Sequence, residues 1–141
     1  MAHTVYLAGG MRTGWQDQVI NAAPDLDYKD PRTHGLRKEK EYTEWDLNAI
    51  DESTIMFAFL EADNPSGAGL ALEIGYAKAQ GKYIIFVCEA QHPHYRYFGM
   101  SRMCANRVYD YLEDGVEFLR TFQTFPRDAS DPDNYYGRSR D

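Results

Sequence analysis

Two uninterrupted apolar runs, Thr54-Ile-Met-Phe-Ala-Phe-Leu60 and Lys82-Tyr-Ile-Ile-Phe-Val-Cys88, constrain this chain more than any other feature. Each has the length of a strand and neither alternates with polar residues, so each reads as a central strand covered on both faces. Between them, Gly67-Ala-Gly-Leu-Ala-Leu-Glu-Ile-Gly-Tyr-Ala77 is glycine-rich at its start and helix-forming afterwards, and Gln80-Gly81 closes it as a glycine cap would. Two buried strands joined by one helix form a right-handed βαβ unit in a parallel sheet. The Asp63–Gly69 loop then lies at the carboxyl end of the sheet, where ligands bind in open α/β folds.

The N-terminus repeats this layout. Thr4-Val-Tyr-Leu-Ala8 reads as a buried strand, Gly9-Gly10-Met11-Arg12-Thr13-Gly14 as a loop, and Trp15–Ile20 as a helix. Such a loop either aims backbone N–H groups and a helix dipole at an anion or is a plain tight turn. It is neither a GxGxxG fingerprint nor a Walker loop, so NAD and ATP are not implied. Ala23–Lys40 is turn-rich with one short strand near Leu26–Tyr28, and Arg37–Glu41 is a solvated loop or the start of the next helix. Tyr42–Ile50 is helical by period: Tyr42, Asp46, Ala49 and Ile50 form one stripe, with Glu44 and Asn48 on solvated faces. Val108–Tyr111 reads as a last edge strand and Gly115–Phe122 as a last helix.

Two carboxylates stand out. Glu73 is the one charge between Gly67 and Ala77, and on a helix it shares a face with Gly69, Leu70, Tyr76 and Ala77. Such an acid meets a partner or a pocket, either of which perturbs its pKa, or else it faces water at the rim. Its place on the ligand edge of the sheet favours the pocket. Asp46, on an apolar stripe, is either a cap or ion-pair partner or a second site residue.

At 141 residues with 43% hydrophobic content, the chain reads as one globular domain over residues 1–125. Residues 126–141 turn to Asp, Pro, Asn, Arg and Gly, a tail that is either mobile or docked on a neighbouring subunit. A net charge of −7 argues against nucleic acid or an anionic membrane as the main partner, while leaving a small phosphorylated ligand open. Cys88 and Cys104 supply no disulfide framework or metal pattern, which fits a reduced, cytoplasmic setting. No signal-peptide profile is expected, nor a membrane span, which needs ~18 apolar residues in a row. His92 and His94 have no acidic or cysteine partner at ligand spacing, so no metal is expected.

Val5-Tyr-Leu-Ala-Gly-Gly10, Asp46-Leu-Asn-x-Ile50, Gly69-x-Ala-x-Glu73-x-Gly-Tyr-Ala77 and Gln80-Gly-Lys-Tyr83 stand in an order and spacing with a precedent. Over residues 4 to 105 the chain resembles the nucleoside 2-deoxyribosyltransferases and their relatives that hydrolyse nucleoside 5′-monophosphates at the N-glycosidic bond. The resemblance implies a flavodoxin-like α/β fold, a five-stranded parallel sheet flanked by helices. It makes Glu73 the nucleophile that forms a covalent glycosyl-enzyme, Tyr6 the residue orienting it, and Asp46 the acid that protonates the departing base. Carboxylate attack on an oxocarbenium-like carbon is the chemistry of retaining glycosyl transfer.

The same resemblance assigns substrate contacts to Gly9, Gly10, Met11, Arg12 and Gly14 of the first loop, and to Asn64, Ser66, Gly67 and Gly69 of the later one. Met100 and Ser101 match a region that completes the site of a neighbouring subunit. Gly67 is a departure, because the family carries aspartate or serine there. The implied partners are a nucleoside or nucleotide and a free nucleobase, without a cofactor, in a homodimer or a hexamer. Arg12 and its loop resemble the hydrolases' phosphate-holding loop, whereas Asp-Leu-Asn-x-Ile and Gln-Gly-Lys-Tyr are closer to the transferases, so transfer and hydrolysis stand level. A non-catalytic nucleotide-binding module is a further alternative.

Overall fold

A computed structural model describes residues 3–124. The tail at 126–141 lies outside the described residues. Five strands, β1 (Thr4–Gly9), β2 (Asp27–Lys29), β3 (Ile55–Leu60), β4 (Tyr83–Cys88) and β5 (Arg107–Tyr109), form one sheet in the order β2-β1-β3-β4-β5. All pairings are parallel, with Val5 opposite Ile55 and Ile55 opposite Tyr83. This is the flavodoxin-like order, and its strand direction of travel reverses between β1 and β3.

The helices are α1 (Trp15–Ala22), α2 (Glu39–Asp51), α3 (Ala68–Ala79), α4 (Gly99–Cys104) and α5 (Leu112–Thr124). They cover both faces, so β3 and β4 are buried at every residue. Side-chain alternation along the strands divides the core in two. Val5, Leu7, Phe57, Phe59, Ile85 and Val87 pack with Trp15 and Val19 of α1 and with Leu119 and Phe122 of α5. Tyr6, Ala8, Met56, Ala58 and Phe86 pack with Ile50 of α2, Leu70 and Ile74 of α3, and Phe98. The parity of β1 therefore sends Tyr6 to the side of the sheet that α2 and α3 cover.

Of the two readings of the charged segment before Tyr42, the helix start holds: it supplies the first turn of α2, with Glu39 and Glu41 at the electropositive helix end. The short α4 follows a 3-10 turn at Tyr95–Phe98 and has no apolar period long enough to announce it.

Candidate active site

Tyr6 reaches from β1 to α3. Its hydroxyl donates to Glu73 Oε2 at 2.7 Å. Burial pushes the Glu73 carboxyl up to about 8; the Tyr6 hydrogen bond opposes that rise, and the neighbouring Asp46 adds to it. The Tyr6 phenol is itself held well above its ordinary value, first by burial and then by Glu73 and Asp46. It therefore stays a hydroxyl donor through the physiological range.

Asp46 projects from α2 with its side chain 18% exposed. Burial raises its pKa, against the opposing influence of Glu73, His34 and Tyr6. Two carboxyl groups so placed cannot both ionise freely, and they titrate as a pair. The expected trio of Tyr6, Asp46 and Glu73 thus comes together from three separate elements.

His34 is a neighbour that the sequence pattern did not disclose. It follows the 3-10 turn Pro31–Thr33, where Asp30 accepts from the Arg32 backbone N–H and from the Arg32 guanidinium. Its ring is buried, edge-on to Trp45 with centroids 4.8 Å apart, and its Nε2 stands 3.5 Å from Asp46 Oδ1. No helical or strand period runs through this loop, so no local signal points to it.

The loops after β1 and β3 face each other across a cleft of about 380 Å³, lined by Gly10, Met11, Arg12, Thr13, Glu61, Asp63, Asn64 and Pro65. It lies at the carboxyl ends of β1 and β3, the crevice where open sheets of this order bind ligands. The first loop is firmly tied. Trp15 Nε1 and Gln16 Nε2 both donate to the Gly10 carbonyl, at 2.8 and 3.0 Å, and Thr13 Oγ1 donates to Glu61 Oε1 at 3.0 Å. A Cβ at Gly9 would stand 2.5 Å from the Phe59 carbonyl oxygen, so that position takes only glycine. Gly14 begins α1 in the left-handed conformation, at φ 76°.

Of the residues assigned to substrate contact, Gly10, Met11, Arg12 and Asn64 line this cleft. Tyr6, Asp46 and Glu73 do not line it; they stand between β1, α2 and α3. Ser66 serves its own loop: its N–H donates to Asn64 Oδ1 and its Oγ accepts from the Ala68 N–H at the start of α3. Gly67 has φ 83°, and a Cβ there would lie 2.8 Å from the Phe98 ring and 2.9 Å from Leu60 Cδ1. That crowding leaves no room at the position for the side chain of aspartate or serine. Gly69 is exposed on α3, one turn before Glu73. Met100, 86% exposed, and the half-buried Ser101 sit on α4, which packs on α3.

Among the described residues no group of three or more His, Cys, Asp or Glu is placed to hold a metal ion. His92 braces two loops instead, with Nε2 donating to the Asn64 carbonyl at 2.7 Å and Nδ1 accepting from the His94 N–H at 3.0 Å.

A model of the family described as nucleoside 2-deoxyribosyltransferase like matches residues 2–91. The chain belongs to this family. Curated protein sequences give no match. Solved structures of nucleoside 2-deoxyribosyltransferase type share the fold. A 2-deoxyribosyltransferase from Bacillus psychrosaccharolyticus superposes with a TM-score of 0.65 at 17% identity, covering 89% of this chain and 97% of its own. A 2-deoxyribosyltransferase from Leishmania mexicana gives 0.59 at 16%, covering 84% and 97%. The CMP N-glycosidase of Clostridium botulinum gives 0.57 at 20%, covering 84% and 98%. The likeness in fold thus takes in two 2-deoxyribosyltransferases and a CMP N-glycosidase.

Proposed function

We propose that this protein cleaves the N-glycosidic bond of a 2′-deoxynucleoside and passes the deoxyribosyl group to another nucleobase. The observation that carries this reading is the Tyr6 hydroxyl held on Glu73 Oε2 beside Asp46. In this reading Tyr6 fixes one carboxylate oxygen and leaves Oε1 to attack the anomeric carbon. The C1′–N bond breaks as the C1′–O bond to Glu73 forms, and the Asp46 carboxyl gives its proton to the departing base. A second base then attacks the same carbon, returns its proton to Asp46 and releases Glu73. The pair needs one proton between its two members, and burial raising both pKa values keeps that proton available near neutral pH.

The cleft supports a nucleoside over its 5′-monophosphate. Arg12 shares the lining with Glu61 and Asp63, so a phosphate there would meet two acids for one guanidinium. Hydrolysis of nucleoside 5′-monophosphates is the second reading, favoured by Arg12 in that lining and by the likeness to the CMP N-glycosidase. We place the protein in the cytoplasm, a setting that suits Cys88 and Cys104, which are not joined in a disulfide. No helix among the described residues is long and apolar enough to cross a membrane. A homodimer or a hexamer is proposed because α3 and α4 expose Leu72, Met100 and Met103, at 61%, 86% and 62%.

Incubating a deoxynucleoside with a different free base, and separately the matching monophosphate alone, tests these readings. A new nucleoside in the first mixture supports transfer, and base release in the second supports hydrolysis. Saturable binding with no base release in either would make the protein a binding module and sink both.

A further inference from the structure

We propose that His34 is the positioning residue for Asp46, an inference that rests on the reading above for its catalytic consequence. The imidazole is fixed at one nitrogen and turns the other toward Asp46. Its Nδ1 accepts from the Leu36 backbone N–H at 2.8 Å, so that nitrogen carries no proton, and in the neutral ring the proton sits on Nε2. Nε2 faces Asp46 Oδ1 at 3.5 Å, and among the described residues neither of these two buried atoms makes a hydrogen bond. Among the described residues, an N–H and a carboxyl oxygen enclosed together without other hydrogen bonds are left facing each other. The separation exceeds that of a formed N–H···O hydrogen bond, and closing it by a few tenths of an ångström would satisfy both atoms.

The surroundings hold the ring in that pose. Trp45, one residue before Asp46 on α2, packs edge-on against the imidazole. The turn that carries His34 is braced by Asp30 and Arg32, with Arg32 reaching on to Asp17 of α1 at 2.8 Å. Gly35, at φ 63°, turns the chain so that the Leu36 N–H folds back onto Nδ1. The titratable groups acting on Asp46 are Tyr6 from β1, Glu73 from α3 and His34 from the loop after β2. Tyr6 and Glu73 belong to the reacting end, and His34 faces the Asp46 carboxyl from the loop after β2. The expected result is one fixed orientation of Asp46 toward the departing base, with its pKa kept from rising as far as burial alone would take it.

Two substitutions separate this role from a merely structural one. His34→Asn keeps an acceptor near Nδ1 for Leu36 but ends short of Asp46, while His34→Gln carries an amide N–H to the Nε2 level. In the full chain, the Asp46 carboxyl is followed by ¹³C NMR across pH, assigned with Asp46→Asn, beside the pH profile of base exchange. His34→Asn is expected to move the Asp46 titration upward and to lower kcat roughly 10- to 100-fold with little change in KM. His34→Gln is expected to restore both in large part. An Asp46 titration that stays put in a folded His34→Asn protein overturns the inference, as does a His34→Gln that behaves like His34→Asn. If the unmodified protein exchanges no base, the proposed function fails, and the Asp46 titration still decides the His34 assignment.

Discussion

The Tyr6 hydroxyl and Glu73 Oε2 lie 2.7 Å apart although 67 residues separate them in the chain. The parity of β1 puts Tyr6 under α3, and the start of α3 at Gly67 sets which of its turns carries Glu73 over the ring. In Tyr6→Phe the carboxylate loses its donor, so the Glu73 pKa climbs further and less of it is ionised at neutral pH. Base exchange is expected to slow about 10- to 100-fold, the weight of one hydrogen bond to a charged group. Steady-state rates measured with and without the hydroxyl check this.

Stability should fall as pH rises through the Glu73 transition. The folded Glu73–Asp46 pair keeps a shared proton up to about 8, whereas in the unfolded chain the Glu73 carboxyl loses its proton near the ordinary 4.5. Between those values the native state binds more protons than the unfolded state, so the stabilisation is complete below the lower value and lost by the upper one. Urea midpoints taken across this window are expected to decline, and Glu73→Gln is expected to flatten the decline.

Gly67 is held by its backbone and by Phe98. Gly67→Ala forces an L side chain into the left-handed region and against a ring 2.8 Å away. A loss of about 2 kcal/mol or more is expected from denaturant unfolding. Gly67→Asp should therefore fail to improve substrate grip, because the side chain has no room to enter.

Glu61 is expected to act against phosphate. Burial and the nearby Glu89 and Asp63 charges raise its pKa, while Thr13 holds it in place. Glu61→Gln removes one of the two acids opposite Arg12 and should shift preference toward the 5′-monophosphate. Competition between nucleoside and monophosphate, followed as a ratio of kcat/KM values, reads this out.

The central strands and the helix between them were legible because an unbroken apolar run has few other uses in a chain of this size. Glu73 was legible as an unusual acid for the same reason: a charge in a small, apolar stretch has no solvated face of its own. Its pairing with Tyr6 was not legible from period or spacing, since neither says which strand residue lies under which helical turn; only the family resemblance suggested it. His34 was invisible because its position depends on the Asp30–Arg32 brace and on Gly35, which no periodicity encodes. Gly67 looked like a missing side chain in sequence, and Phe98 supplies the reason in space.

The proposed reaction depends on Glu73 as nucleophile. Turnover of a deoxynucleoside quenched in acid and weighed by intact-protein mass spectrometry tests that most directly, with peptide mapping of any adduct. A mass gain of one deoxyribosyl group is expected on the peptide carrying Glu73, absent in Glu73→Gln along with base exchange. Base exchange without an adduct, continuing in Glu73→Gln, would contradict it.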